Sequence, residues 1–362
     1  MTEKLNKKIF IFLIVILSIL NYLQCSKAKT FAESSINYES EIVMEVNSKR
    51  VLYGKNVSDK RYMASTTKIL TAICIIENCD LSSEVTVTKD SVGIEGSSIY
   101  LQAGEKLTVK DLLFGLMLRS GNDCAETLAL FCSGSIEKFA ELMNKTANRI
   151  GAVNSNFVNP HGLHDDNHYT TAYDLALISC YAIKNPDFKE IVSTKSVDIP
   201  FTTQNTKRHL LNKNKMLKEF DGATGIKTGF TKKAGRCLVS SCERNGTELV
   251  CVVLNCPNMF ERSKELLQNC YNEYKTYKLA ESDNIVDFIK IKNSDNKCGV
   301  YMKNDILLPL TQEEKNGVET IYQLPEFIEA PLKKDSEIGF IQIYYKNKLL
   351  FEEKLFTIID VR

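Results

Sequence analysis

Three short groups of residues in this chain can do chemistry together: Ser65-Thr66-Thr67-Lys68, Ser120-Gly121-Asn122 and Lys227-Thr228-Gly229, in that order. A serine hydroxyl is a poor nucleophile until a base takes its proton. Residues three apart on a helix share a face, so Ser65 at a helix start places its hydroxyl beside the Lys68 amine. Lysine is a base when held neutral, and burial or a nearby positive charge lowers its pKa; Lys227 can supply that charge. A helix N-terminus also offers backbone N–H groups to a developing oxyanion. Ser120 can relay a proton, and the Asn122 amide can hold a substrate carbonyl. Lys227 and Thr228 on a strand edge can bind a carboxylate, and Gly229 removes a side chain where a substrate backbone must come close. The set describes acyl transfer through a serine.

A Ser-x-x-Lys spacing alone is weak. It recurs at Ser26–Lys29, Ser135–Lys138 and Ser294–Lys297. Ser26 lies in the N-terminal segment, Ser135 reads as a helix cap, and Ser294 sits in a polar loop with no helix behind it. Ser65 differs because the apolar run Ile69-Leu70-Thr71-Ala72-Ile73 follows at once. His161, His164 and His168 lie near Asp165 and Asp166, but that stretch reads as a structural loop capping a helix. Lys207–Lys218 reads as a solvated loop near the site. The histidines lack ligand partners at helical spacing and no CxxC pair occurs, so no metal or other cofactor is expected.

The elements that must position these groups are legible in part. Glu41–Val46 and Arg50–Tyr53 read as a hairpin around Asn47-Ser48. Helical periodicity marks Thr66–Asn78, Val109–Leu118, Asp123–Phe131, Ile136–Ile150, Ala172–Ile183 and Arg262–Tyr274. Arg236–Cys242 and Leu249–Leu254 read as strands joined at Asn245-Gly246, a hairpin turn signal. Hairpins connect antiparallel strands, so the expected class is α/β (α+β), with a largely antiparallel sheet and a helical body. The texture changes near Tyr277. From Asn284 onward short alternating runs without a helix predict a separate small all-β domain. The expected organisation is an export signal at 1–32, a catalytic domain at 33–278 and a β domain at 279–362.

Composition sets the surroundings. The 362 residues carry a formal net charge of +1, with 44% hydrophobic and 25% charged residues. No bulk field draws the chain to nucleic acid, and no nucleic-acid motif is present. Lys4, Lys7 and Lys8 precede an apolar run from Ile9, the order of an export signal, with Thr30-Phe31-Ala32 as its cleavage site. The protein is therefore expected outside the cytoplasm, touching the membrane only if that segment stays uncleaved. Most of the 12 cysteines sit in apolar runs and read as small core residues rather than disulfide partners.

With these motifs in this order, the chain resembles the penicillin-recognising serine enzymes. The flanking residues Ala64–Ala72, Gly115–Asp123, Asn159-Pro160-His161-Gly162-Leu163 and Gly225–Thr231 look like the low-molecular-mass DD-carboxypeptidases, the serine-type penicillin-binding proteins with a transpeptidase-like domain. The resemblance covers most of Tyr38–Tyr274 and extends weakly over the C-terminal β domain. It implies that Ser65 attacks the penultimate D-alanine carbonyl of peptidoglycan stem peptides ending in D-Ala-D-Ala, and that Lys68 takes the Ser65 proton. Ser120 and Lys227 would pass a proton to the leaving D-alanine, and Asn122 would orient the peptide. The N–H groups of Ser65 and Phe230 would form the oxyanion hole, and Thr228, with Arg262, would bind the terminal carboxylate. β-Lactams would acylate Ser65. Met63 and Arg119 stand where the family often has proline. A β-lactamase, a DD-endopeptidase and an inactive penicillin-binding sensor are the alternatives. The first needs a glutamate motif not found here, and the last does not need the intact serine, lysines and asparagine.

Overall fold

The structure is a computed structural model, described here over residues 40–361. The expected signal at 1–32 lies outside the described residues. Strands β1 (Ser40–Glu45) and β2 (Val51–Lys55) pair antiparallel. Their turn is closed by the Glu45 carboxylate, which accepts from the Asn47 and Ser48 N–H groups. A 3₁₀ turn, Ala64–Thr67, leads into helix α1 (Lys68–Asn78). A small ribbon of β3 (Glu84–Thr86) and β4 (Lys106–Thr108) precedes four helices: α2 (Val109–Leu118), α3 (Asn122–Ser133), α4 (Ile136–Ile150) and α5 (Ala172–Ile183).

Local chemistry fixes these ends. Thr108 and Asp111 form a capping box at α2, while Ser135 and Thr171 accept from the third residue of α4 and α5. The bounds expected for α2, α4 and α5 are those observed. The Ser135 hydroxyl is spent on its cap, 3.2 Å from Lys138 N, as its reading required.

Helix α6 (Pro186–Ser193), with Asn185 as cap and proline in its first turn, follows. Next come the hairpin β5 (Ser196–Phe201) and β6 (Thr206–Leu211) and the short α7 (Met216–Glu219). The expectation of a solvated loop over Lys207–Lys218 is corrected here. That run holds most of β6 and the start of α7, joined by two Asx turns in which the Asn212 and Asn214 carbonyls accept from Asn214 N and Met216 N.

Strands β7 (Ala223–Thr231), β8 (Gly235–Arg244) and β9 (Thr247–Leu254) and helix α8 (Met259–Glu273) complete this part. The sheet order is β2-β1-β9-β8-β7, antiparallel throughout, so β7 is an edge. Asn245 and Gly246 both take positive φ, as a type I′ hairpin needs. Helix α5 packs on β1 and β9, and α8 packs on β8 and β9. Val250–Leu254 is apolar and buried at every position because both faces of β9 are covered.

The C-terminal part is β10 (Lys275–Ala280), β11 (Ile285–Ile291), β12 (Lys297–Tyr301), β13 (Ile306–Leu310), α9 (Gln312–Gly317), β14 (Val318–Gln323), β15 (Phe327–Ile328), β16 (Glu337–Tyr345) and β17 (Lys348–Thr357). β10 pairs with β13, and the rest form a sheet of order β14-β16-β17-β12-β11-β15. Ile306, Leu308, Leu310, Ile341, Ile343 and Leu355 make one of its cores. Two details differ from expectation. The pairing of β10 begins at Lys275, upstream of a 278/279 boundary. One short helix is present, α9, made by a Thr311–Glu314 capping box. Arg50 reaches from the catalytic part to the Pro309 carbonyl and the Glu314 carboxylate.

Candidate active site

The 3₁₀ turn carries Ser65 and the start of α1 carries Lys68, so the expected α-helical start is one tighter turn. Lys68 Nζ lies 3.2 Å from Ser65 Oγ. It also donates to Asn122 Oδ1 at 2.7 Å and to the His161 carbonyl. Lys68 is fully buried. Burial, then the charge of Lys227, hold its amine far below the usual lysine value. A neutral amine has two hydrogens and one lone pair. The Asn122 and His161 oxygens take the two hydrogens, which leaves the lone pair to the Ser65 hydroxyl.

The turn is clasped from two sides. A Cβ on Gly162, whose φ is +86°, would fall 1.9 Å from the Ala64 carbonyl oxygen. Asn159 Oδ1 accepts from Gly162 N at 2.7 Å, and the Pro160 carbonyl accepts from Thr71 Oγ1 at 2.6 Å. The loop therefore brings backbone, not histidine side chains, to Lys68. His168 Nδ1 accepts from Val158 N, so Nε2 carries the proton toward Thr67 Oγ1, 2.7 Å away. Burial keeps His161 and His168 neutral, at about 3 and about 4. No group able to hold a metal occurs among the described residues.

Ser120 is buried and takes φ +65°, immediately before α3. Ala64, just before Ser65, takes φ +48°. Left-handed backbone at residues other than glycine costs about 1–3 kcal/mol and persists where surroundings enforce it. Beside Ser120, Asp123 accepts from Ser98 Oγ, Ile99 N and Leu101 N and pins the 97–101 loop to α3. Asn122 N donates to Ser97 O at 2.7 Å, and its side-chain amide donates to Glu95 O. Arg119, where the family often has proline, donates to the Leu211 carbonyl of β6. Met63, the other such position, is fully buried, and its carbonyl accepts from Thr66 Oγ1 at 2.6 Å.

The edge strand β7 brings Lys227, Thr228, Gly229 and Phe230 alongside. A Cβ on Gly229 would lie 3.1 Å from Met63 O, Ser65 N and Thr66 N, so the missing side chain lets the strand close on the nucleophile's own N–H. Phe230 projects outward, 61% exposed, which leaves its role to its backbone. Lys227 is buried and donates to the Thr228 carbonyl at 2.9 Å. Burial and the Lys213 charge lower its amine to about 7.

One expected site residue is not there. Arg262 on α8 is held by Glu41 at 2.8 Å, Tyr53 at 3.1 Å and Glu265 at 2.9 Å, and is buried. Glu41 alternates along β1 with Ile42 and Met44, which belong to the helical core. Alternation puts Arg262 on the opposite face of the sheet, so it is not a carboxylate binder. The residue missed is Lys213. Its N–H donates to the Leu118 carbonyl at 3.1 Å and its amine reaches Ser97 Oγ at 3.4 Å. Its charge acts on both Lys68 and Lys227. The Asn-Lys-Asn punctuation of its Asx turns was the available signal.

Ser294 and Lys297, the competing pair, lie in the β domain, with Lys297 opening β12 and exposed. Comparison with known proteins gives the family. A family model for D-alanyl-D-alanine carboxypeptidase matches residues 27–258, and one for the penicillin-binding protein 5 C-terminal domain matches 274–362. The D-alanyl-D-alanine carboxypeptidase DacF of Bacillus subtilis is 30% identical over 92% of this chain and 88% of its own. DacA of Haemophilus influenzae is 30% identical over 90% and 86%. The solved penicillin binding protein 5 of Haemophilus influenzae superposes with a TM-score of 0.80 at 27% identity, covering 91% of this chain and 99% of that one. The chain belongs to the D-alanyl-D-alanine carboxypeptidase family of serine hydrolases, with the C-terminal β domain of penicillin-binding protein 5.

Proposed function

We propose that this enzyme removes the terminal D-alanine from peptidoglycan stem peptides ending in D-Ala-D-Ala through an acyl-enzyme on Ser65, on the outer side of the cytoplasmic membrane. The carrying observation is the buried Lys68 amine, 3.2 Å from Ser65 Oγ with two other acceptors filled. Lys68 takes the hydroxyl proton as Ser65 attacks the penultimate carbonyl. The oxyanion settles between the N–H groups of Ser65 and Phe230, brought close by Gly229. Asn122 orients the peptide, and Thr228 takes the terminal carboxylate beside Lys227 and Lys213. Ser120 and Lys227 pass a proton to the departing D-alanine amine, and water then releases the shortened peptide. A β-lactam ring opens on the same oxygen, and its tethered leaving group stays to hinder the water.

The test is D-alanine released from a pentapeptide ending in D-Ala-D-Ala by the wild type, by Ser65→Ala and by penicillin-treated wild type. Release by untreated wild type alone supports the proposal. Penicillin attached to Ser65 without release would reject carboxypeptidase action in favour of an endopeptidase or a sensor. Rapid penicillin turnover would favour a β-lactamase.

A further inference from the structure

All eleven cysteines among the described residues are free thiols, and nine of them are buried. The two exceptions, Cys79 and Cys132, are half-buried. Cys79 caps α1, its N–H donating to Ile75 O at 2.9 Å. Cys132 is the penultimate residue of α3. Their thiols are hydrogen-bonded to each other, and both pack on the rim of the helical core. Two half-buried thiols share a hydrogen bond on helices that pack together.

The placement within the fold is specific. Helices α1 and α3 both begin at the active site, where Lys68 donates to Asn122. They span 11 and 12 residues, about 16–18 Å at the helical rise, and end at the thiol pair. The helices are thus bonded to each other at both ends, by amine to amide at one and by thiol to thiol at the other.

We propose that Cys79 and Cys132 form a reversible disulfide when a disulfide-bearing oxidant reaches the protein, locking together the helix ends remote from the catalytic groups. The shared hydrogen bond makes the two sulfurs unequal. It lowers the Cys132 thiol to about 7, whereas Cys79, the donor, is raised. Cys132 is therefore the attacking thiolate. It displaces one sulfur of the oxidant as a thiolate and forms a mixed disulfide. Cys79 loses its proton and attacks Cys132 Sγ, the mixed disulfide breaks, and the second thiolate leaves. Two protein thiols give up two electrons and two protons, and the oxidant becomes two thiols. Buried Cys74, Cys124 and Cys180, whose thiols burial raises, are bystanders.

The test treats the folded, reduced full chain with oxidised glutathione at neutral pH, then alkylates and digests it without reductant for mass spectrometry. The expected product is a single cross-linked peptide pairing Cys79 with Cys132, with two thiols lost per chain and restored by dithiothreitol. Cys79→Ser should stop at a glutathione adduct on Cys132, and Cys132→Ser should give no cross-link. Cys74→Ser should leave the pairing intact. Oxidised wild type should also melt at a higher temperature than reduced wild type, with D-alanine release retained. A folded wild type that keeps every thiol, stops as the Cys132 adduct, or pairs either cysteine with another partner overturns the proposal.

Discussion

The Lys68 amine and the Asn122 amide oxygen are 2.7 Å apart although 54 residues separate them in the chain. That bond aims the base, since it occupies one amine hydrogen and turns the lone pair toward Ser65. Substituting Lys68 by arginine puts a permanently protonated guanidinium where the neutral amine stood, which removes the base. Acylation by penicillin and D-alanine release should both fall by about 10²–10⁴-fold in the folded fraction, the range for losing a general base. Stopped-flow acylation rates check this.

Gly229 is a point where a single methyl is expected to act on the oxyanion gap directly. A Cβ there meets backbone atoms of Met63, Ser65 and Thr66 at 3.1 Å, and backbone cannot swing aside as a side chain can. Gly229→Ala should push β7 off the turn and widen the oxyanion gap. A misplacement of about 1 Å costs about 10²-fold in rate; this contact calls for a few tenths of an ångström, so the loss should stay below that, with kcat carrying most of it. Steady-state kinetics beside an unchanged circular dichroism spectrum would show it.

Lys227 makes stability depend on pH in a stated direction. Its amine sits at about 7 in the folded chain against 10.5 ordinarily, so between those values the unfolded chain binds more protons. Stability therefore rises with pH across that window and is lost as pH falls toward 7. The slope contributed is at most about 1.4 kcal/mol per pH unit. Urea unfolding at pH 7–9 should show wild type gaining stability relative to Lys227→Met as pH rises. A constant difference would mean the amine is charged in the fold.

Arg262 should behave as a structural residue. Removing one partner of a buried pair strands the other charge, at a cost of about 3–5 kcal/mol. Arg262→Ala should therefore unfold at lower urea because Glu41 is left without its guanidinium, whereas KM for the peptide stays unchanged in the folded fraction. A raised KM with intact stability would restore it to the substrate carboxylate.

The parts legible in the sequence share a physical reason: they are local. The bounds of α2, α4 and α5 follow from periodicity plus a cap within three residues, and the turn at Asn245-Gly246 needs only its own dihedrals. The three motifs were legible for the same reason, each spanning three or four residues. What stayed hidden depends on pairs far apart in the chain. Arg262 meets Glu41 221 residues away, and no spacing announces it. Lys213 resembled its lysine-rich neighbours until the Asx turns around Asn212 and Asn214 carried it to the site. Gly162 looked like loop punctuation, yet its missing side chain accommodates the Ala64 carbonyl.

Helices α1 and α3 start within one hydrogen bond of each other, so two helix macrodipoles converge positive end first on the catalytic centre. Each carries roughly half an elementary charge there. The centre is thus electropositive through its peptide groups before any side chain is counted, in a chain whose net charge is only +1. That field opposes protonation of Lys68 and draws in a peptide's C-terminal carboxylate. Because its source is the backbone, it persists when surface lysines are acetylated.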